Sequence, residues 1–411
     1  MEKENIDPAL EREVQKQLNL LEYATVEITP RDEFVTMLRH SIKSGKPLRV
    51  KCGIDPTGTD VHLGHTIPYR KMRQFQELGH TGVVIIGDYT AQIGDPSGKN
   101  DSRPTLTSEQ TKRNAEKYFE QVSKVLMVDR TEVRYQTEWF AKVTLHDLLQ
   151  WAGQTTVAKL LSHDTFKNRL ENNFSLGLHE LFYPVLQGMD SVFINSDVEL
   201  GGSDQKFNVL MGRDYQKHRG MRPQVAILLP IILGTCGTQK MSKSLGNMIA
   251  VLDAPFDQFG KVMSIPDALM EEYIKYASNF DIAKKEELIA GLKNQSMHPN
   301  EVKKALASNI VSIFNGPAVG DEMRSKFEEV FKNKQVPDDA AEFKILEPIN
   351  IIALLTQTEV LESNGEVRRM LKQNAISFME GDKIADEKFM LDLSHAGKVI
   401  KVGKRKFLKL V

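Results

Sequence analysis

Apolar positions recur at helical spacing through residues 1–45, at Leu10, Val14, Leu18 and Leu21 and again at Phe34, Leu38 and Ile42. The pattern then changes. Short apolar runs alternate with helical stretches: Leu48–Ile54, Val83–Ile86, Val133–Tyr135, Val192–Ile194, Val198–Leu200 and Ala226–Ile232. Continuous apolar strands separated by helices predict an α/β fold with a parallel sheet covered on both faces. Right-handed crossovers in such a sheet place a ligand at the carboxyl ends of its strands. A helical stretch at about 151–186 interrupts the alternation. Its apolar residues, among them Leu160, Phe166, Leu170 and Leu178, suit either a packing surface for a second copy of the chain or ordinary core, and the first reading is preferred. Helical spacing returns over 251–332. Residues 333–348, charged and with two prolines, read as a linker, and 349–411 form a small final module.

Four loops fall where the sheet should bind. After the first strand comes Asp55-Pro56-Thr57-Gly58-Thr59-Asp60-Val61-His62-Leu63-Gly64-His65, a tight turn running into a helical pattern through Tyr69, Met72 and Phe75. A helix start carries free N–H groups and partial positive charge, so imidazoles there suit a phosphate, and Gly64 lets a flat base approach. Gly94-Asp95-Pro96-Ser97-Gly98-Lys99 follows Val83–Ile86, and Gly201-Gly202-Ser203-Asp204-Gln205 follows Val198–Leu200. After Ala226–Ile232 comes Lys240-Met241-Ser242-Lys243-Ser244, two lysines three apart in a glycine-bounded loop able to close over a polyphosphate. Gln187 and Asp190, also three apart, share one helix face.

Net charge is −1, which argues against wholesale coating of nucleic acid but not against a local basic patch. Such a patch is present at the end of the chain. Ser363 predicts an N-cap with Glu366 reaching back to it, opening a helix that carries Arg368, Arg369 and Lys372. Lys404, Arg405 and Lys406 follow Gly403 within an apolar alternation that predicts a β-hairpin. Together these residues favour RNA binding over a solvated tail. Cys52 and Cys236 stand far apart, with no disulfide framework, so a reducing, cytoplasmic location is expected. No signal peptide or membrane span is expected either.

With His62-Leu63-Gly64-His65 and Lys240-Met241-Ser242-Lys243-Ser244 together, the chain resembles the class I aminoacyl-tRNA synthetases. The Gly94–Lys99, Tyr183–Asp190 and Gly201–Gln205 segments resemble the bacterial tyrosyl branch. The C-terminal module is similar to a small RNA-binding fold shared with a ribosomal small-subunit protein. The resemblance implies a Rossmann-like catalytic domain at 46–250, an α-helical anticodon-side domain at 251–332 and an α+β RNA-binding domain at 349–411. It implies activation of L-tyrosine by ATP with Mg2+, then transfer to tRNA(Tyr), by a homodimer with no protein-bound structural metal. His62, His65, Lys240, Lys243, Lys99 and Arg103 match catalytic positions, and Cys52, Gly53, Thr57, Gly64, Gly202 and Asp204 match ATP-binding ones. Lys51, Asp95, Tyr183, Gln187, Asp190 and Gln205 match tyrosine-binding positions, Asp190 as the acceptor of the phenol hydroxyl. Two departures stand out: Lys51 occupies the place of a tyrosine in the commoner bacterial form, and Met189 that of an aromatic. Asp190 is therefore expected to carry discrimination, with Lys51 offsetting its charge. Tryptophanyl-tRNA synthetases, other nucleotidyltransferases and a non-catalytic synthetase-like RNA-binding protein are the alternatives.

Overall fold

A computed structural model describes residues 7–96, 107–332, 340–379, 381–403 and 406–411. Contacts divide the chain into two units, 1–252 with 265–296, and 253–264 with 297–411.

The first unit is built on six strands: β1 (Glu27–Thr29), β2 (Arg49–Ile54), β3 (Thr81–Ile86), β4 (Thr131–Tyr135), β5 (Val198–Gly202) and β6 (Val225–Leu229). Their order is β1-β6-β5-β2-β3-β4, parallel throughout except for β1, which runs antiparallel to β6. Every residue of β6 is buried and so are five of the six in β3, hence the unbroken apolar runs. Each such side chain contributes about 1.5–3 kcal/mol of burial. β2 pairs with β3 on one side and β5 on the other, so the order reverses between β2 and β5 and a crevice opens at their carboxyl ends. Ile54, Ile86, Tyr135, Gly202 and Leu229 all end on that rim.

Two local expectations change. Val192–Ile194 is not a strand: Val192 and Phe193 end the Tyr183–Phe193 helix and Ile194 caps it. Three apolar residues fit either period, and here the burial of Val185, Met189 and Asp190 at helical spacing decides. Residues 1–45 are not helical throughout. The helices Pro8–Glu22 and Arg31–Ser44 are separated by β1, which pairs antiparallel with β6 as the edge strand of the sheet.

In the second unit the helices Pro255–Met263, Pro299–Asn315 and Pro317–Lys332 pack together. Its last part holds a four-stranded sheet in the order Ala341–Phe343, Lys406–Leu410, Val399–Val402, Ile376–Phe378. Leu354, Leu355, Val367, Leu371, Ile400 and Leu408 form its core. Val399–Val402 and Lys406–Leu410 pair antiparallel across Gly403, whose φ of +63° suits a turn. Ser363 accepts from the Glu366 amide at 3.3 Å, but Glu366 takes the Glu362 N–H rather than returning to Ser363, so the cap is one-sided.

Candidate active site

The rim begins at the end of β2. Beyond Ile54 the chain turns, and His62 caps the helix Leu63–Glu77, which begins at Leu63 with Gly64 in its first turn. The two imidazoles cap reciprocally. The His65 N–H donates to His62 Nδ1 at 3.4 Å and the His62 N–H to His65 Nδ1 at 3.5 Å, with the rings stacked 3.6 Å apart. Each Nδ1 is thus an acceptor, which leaves the proton of either neutral ring on Nε2 as a donor. Burial, then His65, lowers His62 to about 3; desolvation, then Lys240, lowers His65 to about 4, although His65 as a whole is an exposed residue. A Cβ on Gly64 would lie 3.2 Å from the His62 ring and 3.5 Å from Ile232, so glycine keeps this stack in place.

The lysine loop is sewn to the same turn. Leu63 donates to the Ile249 carbonyl and Val251 to the Val61 carbonyl, both at 2.9 Å, with His62 and Ala250 paired between them. Lys243 forms an ion pair with Asp60, 183 residues away in the chain. Inside the loop, buried Asn247 accepts from the Ser242 N–H at 2.8 Å and donates to the Lys240 carbonyl at 3.1 Å. At its base, Leu233 is held by Glu272 on its N–H and by the Tyr273 hydroxyl on its carbonyl. Lys240 and Lys243 are both exposed.

Deeper in the crevice the groups are buried. Asp190, on the Tyr183–Phe193 helix, accepts from Gln136 Nε2 at 2.8 Å and Trp139 Nε1 at 3.1 Å. Burial pushes it up to about 7, against a downward pull from Lys51 and these donors and an upward one from Glu199. Gln136 also accepts from the Tyr89 and Thr90 N–H groups, joining the loops that follow β3 and β4. Lys51 pairs with Glu199 at 3.1 Å and donates to the Gln187 carbonyl at 3.3 Å, so its direct carboxylate partner is Glu199, while its field still reaches Asp190. The Gln187 amide donates to Glu199 at 3.1 Å. Tyr183 donates to Asp55 at 2.9 Å and Gln205 to Asp95 at 2.9 Å.

Asp204 is exposed on the same rim, raised by desolvation and Asp95 and lowered by Lys240. Gly53 and Thr57 are exposed there too, and a Cβ on Gly53 would meet nothing within 4 Å. A Cβ on Gly202 would lie 2.6 Å from Asp204 Oδ1. The Cys52 thiol is buried, pushed up to about 12 by that burial, and faces Tyr69. The structure therefore brings His62, His65, Lys240, Lys243, Asp204, Asp95 and Gln205 to one rim of the first unit, while Lys51, Gln187 and Asp190 gather around buried Glu199 on the sheet face. Lys99, Arg103, Lys404 and Arg405 lie outside the described residues. In the second unit Arg368, Arg369 and Lys372 share an exposed helix; Arg368 pairs with Glu387 at 3.3 Å, and Lys406 donates to the Val360 carbonyl.

Gln136, Trp139, Glu199 and Asp60 escaped the sequence reading. Asp60 lies within the Asp55–His65 turn but nothing in its spacing names Lys243 as its partner; the other three belong to no motif, and only the paired apolar-to-polar switch at Lys51 and Glu199 inside otherwise apolar strands offered a signal. Among the described residues no three His, Cys, Asp or Glu side chains are grouped to hold a metal ion, and no helix is long and apolar enough to cross a membrane.

Residues 43–332 match the family model described as tRNA synthetases class I (W and Y). The chain is 42% identical over 402 residues to the tyrosine–tRNA ligase of Moorella thermoacetica, covering 98% of this chain and 97% of that one. It is 43% identical to that of Desulfotalea psychrophila, covering 97% and 98%. A C-terminally truncated mitochondrial tyrosyl-tRNA synthetase of Aspergillus nidulans superposes with a TM-score of 0.64 at 20% identity, covering 79% of this chain and all of that one, a likeness of fold.

Proposed function

The chain belongs to the class I tRNA synthetases of the tryptophan and tyrosine (W and Y) family, and from that membership we infer that it is a tyrosine–tRNA ligase. It activates L-tyrosine with ATP and passes the tyrosyl group to the 3′ end of tRNA(Tyr). A carboxylate oxygen of tyrosine attacks the α-phosphorus of ATP while the bond to the bridging oxygen breaks and pyrophosphate leaves. The ribose hydroxyl of the tRNA terminus then displaces AMP from the tyrosyl carbonyl. Neither step needs a side-chain nucleophile, so catalysis lies in alignment and in donors aimed at growing phosphate charge.

On the ATP side, the roles that fit the geometry are Nε2–H donation to phosphate from neutral His62 and His65, and charge compensation of the departing pyrophosphate by Lys240 and Lys243. Lys243 would exchange Asp60 for phosphate as the loop closes. Lys99 and Arg103 are proposed to add contacts there. Asp204 would hold the ribose hydroxyls, with Gly53, Thr57, Gly64 and Gly202 beside the nucleotide and Cys52 beneath it. Magnesium comes in on the triphosphate, where it neutralises charge.

On the amino-acid side, Asp95, Tyr183, Gln187 and Gln205 ring the site proposed for the α-ammonium and carboxylate, and Asp190 is the acceptor for the phenol hydroxyl. The observation that carries this reading is the burial of Asp190 with Gln136 and Trp139 as donors. A carboxylate so placed leaves a buried acceptor unpaired when phenylalanine enters, which is costly. Tyrosine-dependent exchange of pyrophosphate into ATP tests the assignment; exchange with tryptophan in its place, or with neither, overturns it. Arg368, Arg369, Lys372, Lys404, Arg405 and Lys406 are proposed to contact tRNA backbone. A second copy is proposed to pack on the 151–186 segment, where Val157, Leu170, Phe174 and Leu178 are exposed, whereas Leu160 and Phe166, expected on that surface, are buried in the chain's own core. The location proposed for such an enzyme is the cytoplasm.

A further inference from the structure

Lys51 on β2 and Glu199 on β5 are register partners, so their side chains leave the sheet together on one face. Both are at most 2% exposed. Over that face lies the Tyr183–Phe193 helix, carrying Gln187, Asp190 and Ser191 at helical spacing. Glu199 accepts from Lys51 Nζ at 3.1 Å, Gln187 Nε2 at 3.1 Å, Ser191 Oγ at 3.4 Å and Gln224 Nε2. Lys51 spends a second proton on the Gln187 carbonyl at 3.3 Å. A buried ion pair is no net stabiliser against apolar packing, so stability alone does not account for two charges at the base of a substrate crevice.

What the pair accomplishes follows from the alternative. Without Glu199, the buried ammonium still has Asp190 as an anionic neighbour whose field it already feels. It would turn to that carboxylate and take the lone pair on which a phenol hydroxyl must land. Resting on the tyrosine–tRNA ligase reading above, we propose that Glu199 is a specificity-determining positioning residue: it holds Lys51 away from Asp190 so that the carboxylate stays open to the substrate hydroxyl. Gln187, Ser191 and Gln224 saturate Glu199 and keep it from moving toward the pocket itself.

The test uses the full-length enzyme and pyrophosphate exchange with tyrosine and with phenylalanine. In Glu199→Gln, kcat/KM for tyrosine falls roughly tenfold, mostly through KM, while that for phenylalanine, which has no hydroxyl to compete with Lys51, changes less than about twofold. The double variant Lys51→Met/Glu199→Gln removes the displaced ammonium and brings the tyrosine-to-phenylalanine ratio back to within about threefold of the unmodified enzyme. Equal losses for both substrates in Glu199→Gln, or an unchanged ratio there, overturn the proposal. The double variant removes both members of the ion pair while Asp190 keeps its Gln136 and Trp139 donors, and it remains decisive even where Glu199→Gln does not fold. A collapsed ratio in the double variant puts Lys51 itself on the hydroxyl and also overturns it. Failure of the unmodified enzyme to use tyrosine at all would instead refute the ligase reading.

Discussion

On the phosphate side of the crevice, cations stand in solvent, two histidines are neutral, and backbone hydrogen bonds join loops that are 183 residues apart where Lys243 meets Asp60. On the amino-acid side the charges are buried, and side chain meets side chain: Lys51 with Glu199, Gln136 and Trp139 with Asp190. The difference follows from what each must recognise. A triphosphate brings several charges of its own, and exposed lysines on a loop can close on it and release it. A single phenol hydroxyl brings one proton, and only a desolvated, fixed acceptor makes its absence expensive.

The largest effects should come from the exposed side. Lys240→Ala and Lys243→Ala each lower the rate of tyrosine activation by roughly 10²–10³-fold with the KM for tyrosine little changed, as single-turnover measurements would show. Comparable losses in tyrosine KM would mean that the two sides are not separable. Asp190→Asn removes the buried negative charge and replaces one acceptor oxygen with an NH2 donor, lowering kcat/KM for tyrosine by roughly 100-fold and leaving phenylalanine nearly as good a substrate as tyrosine. Unchanged discrimination would remove Asp190 from its role. Trp139→Phe deletes one of two donors to Asp190 and costs about tenfold in tyrosine kcat/KM, the usual worth of one hydrogen bond to a charged group.

Acidity sharpens the contrast. With Asp190 pushed up to about 7 by burial, its carboxylate form is lost as pH falls through that value, so kcat/KM for tyrosine declines several-fold toward about pH 6. Losing the Trp139 donor moves that limb to higher pH. His62 and His65, lowered to about 3 and about 4, stay neutral over the same range, so the KM for ATP stays flat there. The smallest effect belongs to Asp60→Asn. Its ion pair with Lys243 is solvent-exposed and screened, so freeing the lysine changes the KM for ATP only about twofold, and less as salt is raised.

Much of this was present in the linear chain. The apolar runs at 48–54, 83–86 and 226–232 declared a parallel sheet because strands buried on both faces must be apolar throughout. The His62–His65 and Lys240–Ser244 segments were legible because phosphate recognition is carried by contiguous residues at a helix start and in a loop. Val192–Ile194 was misread because three apolar residues satisfy a strand and a helix end equally. Folding alone decided what Lys51 does, since a lysine in an apolar strand names no partner. Register set Glu199 opposite it, the helix above supplied Gln187 and Ser191, and two residues past β4 came to hold Asp190. Contacts of this kind join single side chains from separate strands. They have no spacing along the chain, and so exist as a pattern only once the sheet order is set.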